Sequence, residues 1–390
     1  MAPTSRLYDA LQAFLRQPDI PWQDARHVQT LCWMIIGIIQ SQKVHLNGFG
    51  VYVLSRAQLA QSHQRRFRRW LSNRRIPVAN AHQTLLQQAL ATWKAERLYL
   101  SLDTTVLWNR FCLVWVGVVY RGRTIPVAWR LVTQSSSSVH LRTLKPVLQS
   151  AARLLPPGIA IVLLADRGFA DHKLMKYLKA DLGWHFRIRI KRSFQFQLKG
   201  QWHPVSAVVL EPGQAYCTAA VTIGKTHPYG NVYLAFAHDQ PSGEFWVIVS
   251  DEPTTLQTFA QYQRRFQVEE SFLDLKSNGF DLEASRLRDA WALSQLCGVI
   301  ALTTLFLVLQ GVRVVADGQW RQVDAHWYRG MSYLKLGWNW IRLALTRQLA
   351  MPVPRYLASG PDPQPALASK RQLDVALARE FTVLKQLPVL

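Results

Sequence analysis

The run GIAIVLLADRGF, from Gly158 to Phe169, constrains the fold of this chain more than any other segment. No polar side chain occurs in it before Asp166, and such a continuous apolar run is typical of a central strand that is buried on both faces. Two buried faces require helices on both sides of the sheet. The run therefore predicts an α/β fold built on a mixed sheet.

Strand and helix patterns on both sides of this run predict the rest of the core. LYLSLDTTVL, from Leu98, alternates apolar and polar residues, and FCLVWVGVVY and TIPVAWRLV follow it, separated by a turn at Gly122. These three segments predict an antiparallel meander. The other predicted elements are strands over Trp184–Ile190 and in EFWVIVSDEP, and helices over His140–Leu154, His172–Ala180, Thr254–Ser277 and Ala290–Val312.

The charge of the chain indicates its partner. Lys and Arg total 46 and Asp and Glu total 24, so the formal net charge is +22, while 49% of the residues are hydrophobic and can form a large core. This excess favours a polyanion, nucleic acid ahead of an anionic membrane surface. We expect the cluster QRRFRRWLSNRR (Gln64–Arg75) to contact DNA phosphates rather than to be only a solvated helix face. Its central arginines are Arg65, Arg66, Arg68 and Arg69.

The local hydrophobic periodicity of the sequence divides the chain into three parts. Residues 1–95 predict a helical DNA-binding domain, residues 96–311 an α/β core, and residues 312–390 a C-terminal helical region and tail. Glycine and proline turns predict a β-rich insertion in the core over residues 191–244. The tryptophans of the C-terminal part fit surface packing as well as they fit dimerisation or DNA contact; they include Trp320, Trp327, Trp338 and Trp340.

Neither a disulfide framework nor a membrane span is expected. The four cysteines lie far apart without a C-x-x-C pair, and the N-terminus lacks the apolar stretch of a secretory signal. Ala290–Val312 carries no charge and is long enough to cross a bilayer. Its serine, glutamine and threonine residues nevertheless favour a buried helix of a cytoplasmic protein.

Two aspartates are prominent in this basic chain. Asp103 lies on the polar side of the first predicted strand, and Asp166 ends the buried strand. An exposed position or a turn explains each of them when it is considered alone. If the two strands are neighbours, however, both carboxylates meet at one edge of the sheet and form a site that suits Mg²⁺.

The helix YQRRFQVEESFLDLK adds a third acid. Tyr262, Arg265, Glu269 and Lys276 fall in a stripe roughly 60° wide when about 100° is allowed per residue, and Asp274 falls outside it. An ordinary amphipathic helix with an Arg265–Glu269 pair also explains these charges. It does not explain why the stripe follows a pair of aspartates.

The spacing Y-x2-R-x3-E-x6-K of these four residues resembles the signature of bacterial insertion-sequence transposases of the DDE type, in the IS-four branch. SLDTTVL around Asp103 and ADRGF around Asp166 are similar to the two aspartate segments of that family. WVIVSDEP, from Trp246, is similar to a family strand whose tryptophan stacks on a flipped base. The resemblance covers roughly residues 98–288.

The resemblance implies a ribonuclease-H-like core in which Asp103, Asp166 and Glu269 are catalytic and hold two Mg²⁺ ions, with Mn²⁺ able to substitute. It further implies metal-dependent cleavage at transposon ends and strand transfer into target DNA, by cut and paste through a hairpin intermediate. The implied partners are double-stranded DNA, at terminal inverted repeats and target sites, and a second copy of the chain in a homodimer. The implied location is the cytoplasm, at the nucleoid. The residues implied to contact DNA are Tyr262, Arg265 and Lys276 through phosphates and Trp246 through a base.

Two other functions fit parts of the sequence. A glycosidase also uses paired carboxylates, but it needs neither a net charge of +22 nor cations on its catalytic helix. A catalytically decayed transposase, or another non-enzymatic DNA-binding protein, fits the charge. The intact set of three acids argues against it.

Overall fold

The computed structural model describes residues 3–17, 20, 22–76, 78–366 and 381–386. Within these residues the N-terminal part contains four α-helices, as its apolar periodicity predicts, and two 3₁₀ turns. They are α1 (Pro3–Leu15), α2 (Ala25–Ser41), α3 (Ala60–Ser72) and α4 (Val78–Leu90). In α3 the apolar residues Phe67, Trp70 and Leu71 are buried, so the intervening arginines lie on the outer side of the helix.

The predicted antiparallel meander is present. It consists of β1 (Arg97–Leu107), β2 (Phe111–Tyr120) and β3 (Arg123–Thr133). Arg121 and Gly122 join β2 to β3 with φ values of 46° and 98°, and positive φ at both positions is typical of a tight hairpin turn.

The buried run forms β4 (Ala160–Ala165), and its residues from Ile161 onward are buried as predicted. β4 lies between two parallel neighbours, β1 and β5 (His185–Arg189). The connections are α5 (Leu141–Ala152) before β4, and α6 (His172–Lys176) with a π-helical turn (Tyr177–Asp181) after it. The order β3-β2-β1-β4-β5 gives the mixed sheet expected of a ribonuclease-H-like core.

The insertion is β-rich, as predicted, but it extends the core sheet. Its strands are β6 (Gln195–Leu198), β7 (Gln201–Pro204), β8 (Gln214–Cys217), β9 (Val221–Ile223) and β10 (Tyr229–His238). The next strand, β11 (Phe245–Ser250), pairs with β5 on one side and with β10 on the other. Ladder hydrogen bonds therefore run without a break from the core into the insertion. Near the C-terminus, β12 (Thr382–Val383) pairs with β8.

The prediction of one uninterrupted helix over Thr254–Ser277 is wrong. The segment forms α7 (Leu256–Gln263), a 3₁₀ turn (Arg264–Phe266) and α8 (Gln267–Lys276). A 3₁₀ turn has about 3.0 residues per turn instead of 3.6. Angular positions calculated for a continuous α-helix therefore do not hold across this turn.

A central helix, α9 (Ala290–Ala316), joins the N-terminal helices to the sheet. It is long and apolar enough to cross a membrane, but 94% of its most apolar segment is buried inside the protein, which agrees with the predicted interior helix. Phe14 of α1 packs on Phe306 with ring centroids 5.3 Å apart. Trp338 of α10 (Tyr333–Arg347) donates to the Ile39 carbonyl of α2 at 2.8 Å. One hydrophobic core thus extends from α1 to α10.

The C-terminal tryptophans divide between the core and the surface. Trp320, Trp338 and Trp340 are buried, whereas Trp327 is 88% exposed. Of these four side chains, Trp327 is therefore the one that offers an aromatic surface to a partner. Residues 367–380 and 387–390 of the predicted tail lie outside the described residues.

Candidate active site

The two predicted aspartates lie on neighbouring strands. β1 and β4 are parallel, and their register pairs Leu102 with Ala165, so Asp103 and Asp166 follow at the same level. Adjacent strands lie about 4.8 Å apart, and the negative charge of Asp166 acts on the Asp103 carboxyl. β1 continues to Leu107, so Asp103 lies within its strand and not at the end of it.

Backbone amides orient both carboxylates. Oδ1 of Asp103 accepts a hydrogen bond from the Thr104 amide at 2.7 Å, and Oδ1 of Asp166 accepts one from the Gly168 amide at 2.8 Å. The second bond begins a 3₁₀ turn over Arg167–Phe169. A Cβ atom at position 168 would lie 3.0 Å from this oxygen, so glycine allows the turn to close on Asp166. Neither bond uses an Oδ2 atom.

The turn before α8 brings Glu269 to the same place. Arg265 donates from Nη2 to Glu269 Oε1 at 2.5 Å, and its Nη1 lies 3.5 Å from Asp103 Oδ2. The charge of Glu269 also acts on Asp103. The three acids named by the sequence are therefore grouped around Asp103, on which the charges of Asp166 and Glu269 both act, and a guanidinium lies between Asp103 and Glu269.

Burial controls the ionisation of Asp103. Its side chain is 16% exposed, and this burial raises its pKa to about 6. The Thr104 amide and Arg265 lower the pKa, while Asp166 and Glu269 raise it further. The cluster thus holds more negative charge than its own cation balances, and a divalent cation would stabilise the ionised form.

Polar contacts dock α8 onto the β2–β3 turn. Gln267, Ser271 and Asp274 lie at positions i, i+4 and i+7, which share one face of the helix. The hydrogen bonds run from Gly122 N to Gln267 Oε1 at 3.1 Å, from Thr124 N to Ser271 Oγ at 2.8 Å and from Arg123 Nε to Asp274 Oδ2 at 2.5 Å. Lys335 of α10 lies 3.0 Å from the other oxygen of Asp274. This polar seam fixes α8, and with it Glu269, against the sheet.

The sequence did not reveal this seam. The helical stripe leaves Asp274 out, yet its side chain is 2% exposed and is paired with two cations. The available signal was the i, i+4, i+7 spacing of three polar residues on a helix that must pack on a sheet. Such a pattern is also typical of a solvated face, so the sequence alone could not distinguish the two.

Two aromatic residues assigned to DNA lie in the interior. Tyr262 is fully buried and Trp246 is 1% exposed, and their rings meet edge to face with centroids 6.1 Å apart. Phe266 also packs on Trp246, at 6.0 Å between centroids. A base can therefore stack on Trp246 only after these side chains move. Lys276 is half-buried at the end of α8 and forms no ion pair with a described residue.

The predicted arginine cluster lies on α3, outside the core. Arg65, Arg68 and Arg69 are exposed, and none of them forms an ion pair within the described chain. Arg66 is half-buried and donates to Thr30 Oγ1 of α2 at 3.0 Å. A surface groove of about 750 Å³ runs between α2 and α3. Its cationic lining residues are Arg26, Arg65, Arg66 and Arg69.

A second group of ligand-type side chains lies about four residues down the strands from Asp166, because His185 is level with Val162. His185, Asp251 and Glu252 have ligand atoms within 4.8 Å of one another. Cations already occupy these carboxylates, because Lys179 pairs with Asp251 at 2.7 Å and Glu252 binds two guanidinium groups. The Glu252 pairs are with Arg97 and Arg187, each at 2.7 Å. We interpret this group as an ion-pair network that joins β1, β5 and the end of β11.

Comparison with known proteins identifies the chain. A search of curated proteins finds no match. The family model of the transposase DDE domain matches residues 109–306, which is 198 of the 390 residues. The matched segment contains Asp166 and Glu269, and it begins six residues after Asp103. DDE transposase domains act on DNA and use divalent metals. The chain therefore belongs to the transposase DDE domain family and has a transposase role.

Proposed function

We propose that this chain is an active transposase of the IS-four branch. It cleaves DNA at the ends of its insertion sequence and transfers those ends to target DNA, by cut and paste through a hairpin intermediate. The proposal is supported by the convergence of Asp103 and Asp166 on adjacent strands with Glu269 beside them. Three clustered carboxylates repel phosphate by themselves, so they suit a site that holds cations between protein and DNA.

The donor set fits Mg²⁺. This ion prefers carboxylate oxygens and keeps water and phosphate as its other ligands, and Mn²⁺ accepts similar oxygen ligands. Asp103, Asp166 and Glu269 would hold two ions, which would act as Lewis acids at the reacting phosphate and generate the attacking nucleophile. Hydrogen bonds from backbone amides hold the two aspartates, and the polar seam of α8 holds Glu269, before DNA arrives. The carboxylates therefore need little rearrangement during the reaction.

Cations outside the triad are proposed to hold the DNA backbone. Lys276 lies seven residues after Glu269 on α8, about two helical turns away. A DNA strand bound at the triad can therefore also contact the ammonium group of Lys276. The exposed arginines of α3 offer a second patch of positive charge. Tyr262 and Trp246 take part only if their packed cluster opens when DNA binds.

The assembly is proposed to be a homodimer on double-stranded DNA, in the cytoplasm at the nucleoid. Strand transfer has to hold two transposon ends at once, and two copies of one chain provide two equivalent sites. Sedimentation of the protein with and without a duplex carrying the terminal inverted repeat tests this assembly. A complex of one protein chain per duplex under conditions of cleavage would contradict it.

A cleavage assay tests the catalytic proposal with a matched pair of variants. Glu269 and Glu270 are adjacent on α8, and the side chain of each is 53% exposed. The substrate is a supercoiled plasmid that carries the coding sequence with its natural flanking DNA, incubated with Mg²⁺ or Mn²⁺. We expect Glu269→Gln to abolish nicking at the ends, whereas Glu270→Gln retains it.

The outcomes of this assay separate the possible functions. If Glu269→Gln nicks the plasmid as well as Glu270→Gln does, the assignment of the triad is wrong. If the wild-type protein binds the ends but does not nick them with either metal, the chain is a DNA-binding protein without catalytic activity.

Salt dependence tests the arginine patch. Each phosphate contact contributes about 0.9 to the slope of log K against log salt concentration. Arg65→Gln/Arg69→Gln should therefore reduce the slope by about 1.8, and the charge-matched control is Arg342→Gln/Arg347→Gln, two exposed arginines of α10. Equal slopes for the two double variants, measured by fluorescence anisotropy, would remove the specific role of α3.

A further inference from the structure

The guanidinium of Arg265 faces the acids of the triad and not the solvent. Its side chain is 7% exposed, and it contacts Glu269 Oε1 at 2.5 Å and Asp103 Oδ2 at 3.5 Å. The same group lies over the Phe266 ring, 4.6 Å from the centroid. Its ion-pair partners are therefore carboxylates, although the sequence signature predicts a phosphate contact.

Arg265 is the cation that pairs with the triad in the described part of the chain. No described cation forms an ion pair with Asp166, and the neighbouring Arg264 lies over the Tyr99 ring, 4.5 Å from its centroid. Three carboxylates in one place repel one another. A guanidinium that contacts two of them reduces this repulsion, and it holds Glu269 toward the sheet.

The oxygens that Arg265 contacts are oxygens that a metal ion would use. Mg²⁺ binds carboxylate oxygens at about 2.0–2.1 Å. An ion between Asp103 and Glu269 would therefore take the position of the guanidinium, and the two positive charges would repel each other. The contacts of Arg265 with these two oxygens therefore compete with a metal ion at the same place.

We propose that Arg265 is the internal counter-ion of the metal-free triad, which positions Asp103 and Glu269 until a divalent cation displaces it. This inference rests on the proposed function, because it takes the triad to be the metal site. Metal affinity is then set by a competition, in which the cation must replace the contacts of Arg265. The residue acts on the reaction through the ligands that it positions.

Mn²⁺ binding to the purified full chain tests the proposal, by titration calorimetry and by the electron paramagnetic resonance of free Mn²⁺. Arg265→Gln removes the competitor, so we expect Mn²⁺ to bind about tenfold tighter and the melting temperature in EDTA to fall. Arg265→Lys keeps the charge but cannot contact two carboxylates in the same fork geometry, so its affinity should lie between the other two. The matched control is Arg264→Gln, which should leave the affinity within about twofold.

Three results would overturn the proposal. Arg265→Gln could bind Mn²⁺ no tighter than wild type, Arg264→Gln could tighten binding equally, or Arg265→Lys could match wild type in both affinity and melting temperature. If Arg265→Gln does not fold, the comparison of Arg265→Lys with Arg264→Gln still decides. Glu269→Gln separates this proposal from the proposed function: unchanged Mn²⁺ binding in that variant refutes the metal site itself, whereas weakened binding with no effect of Arg265→Gln refutes only the counter-ion.

Discussion

Removal of Arg123 from the polar seam is expected to destabilise the protein through the carboxylate that it leaves behind. Asp274 is 2% exposed and accepts from Arg123 Nε at 2.5 Å. Loss of one partner from a buried ion pair costs about 3–5 kcal/mol, because a buried charge loses its compensation. Lys335 remains 3.0 Å from Asp274, so we expect the lower end for Arg123→Met, about 3 kcal/mol.

Differential scanning calorimetry measures this loss. The entropy of unfolding is about 2.1 cal/mol/K per residue, which gives about 0.8 kcal/mol/K for 390 residues, so 3 kcal/mol lowers the Tm by about 4 °C. The control is Arg130→Met on the same strand, an exposed arginine without an ion pair in the described chain. It should change the Tm by less than about 1 °C.

A double variant tests the reason for the loss. In Arg123→Met/Asp274→Leu no buried carboxylate remains, so at least half of the lost stability should return. If Arg123→Met alone shifts the Tm no more than Arg130→Met does, Asp274 does not depend on Arg123 and the reasoning is refuted. If the double variant is less stable than the single one, the seam contributes through packing and not through charge compensation.

Three further predictions concern pH and packing. Because the pKa of Asp103 is raised to about 6, protons compete with metal for this carboxylate below that pH. The Mn²⁺ affinity measured by calorimetry should therefore fall about tenfold per pH unit there, and a constant affinity down to pH 5 would contradict this. Burial lowers the pKa of His82 to about 4, so as the pH falls the unfolded chain binds a proton before the folded chain does, and the free energy of unfolding decreases between about pH 6.5 and 4. His82→Phe should flatten this dependence in urea unfolding, and an unchanged pH profile would refute it. A Cβ atom at Gly337 would overlap the backbone oxygen of Leu307 in α9, so Gly337→Ala should cost about 1–3 kcal/mol or more in urea unfolding, whereas Gly48→Ala has open space and should be neutral.

Local patterns predicted the elements that carry the acids. The apolar run before Asp166 forms a strand buried on both faces, and the alternation around Asp103 forms its neighbour. Both patterns show directly which faces of a strand are buried, so the strands can be predicted without knowing which elements pack against them. The exact register that sets the two aspartates at one level is a property of the pair of strands, and no single segment encodes it.

Sequence patterns missed one helix interruption and several contacts that depend on distant partners. The 3₁₀ turn at Arg264–Phe266 has no local breaker such as proline or glycine, so periodicity extends the helix through it. Trp246 resembles a stacking platform in sequence but is covered by Tyr262 and Phe266, which are brought to it by the turn. Asp274 pairs with Arg123, which is 151 residues away in the sequence, and a contact over that separation produces no periodic pattern in either segment.

The central position of α9 has a consequence for the synthesis of the protein. The hydrogen bond from Trp338 to Ile39 spans 299 residues, and the N-terminal helices bury their apolar faces against α9 and its neighbours. At about 5–20 residues per second, translation takes about 15–60 s to pass from one of these residues to the other. During that interval α1, α2 and α3 can contact one another, but the apolar surfaces of α1–α4 that pack on α9 and α10 lack their partner and are sites for chaperones or for aggregation. We therefore expect the yield of folded protein to depend on how these helices are protected while the rest of the chain is made.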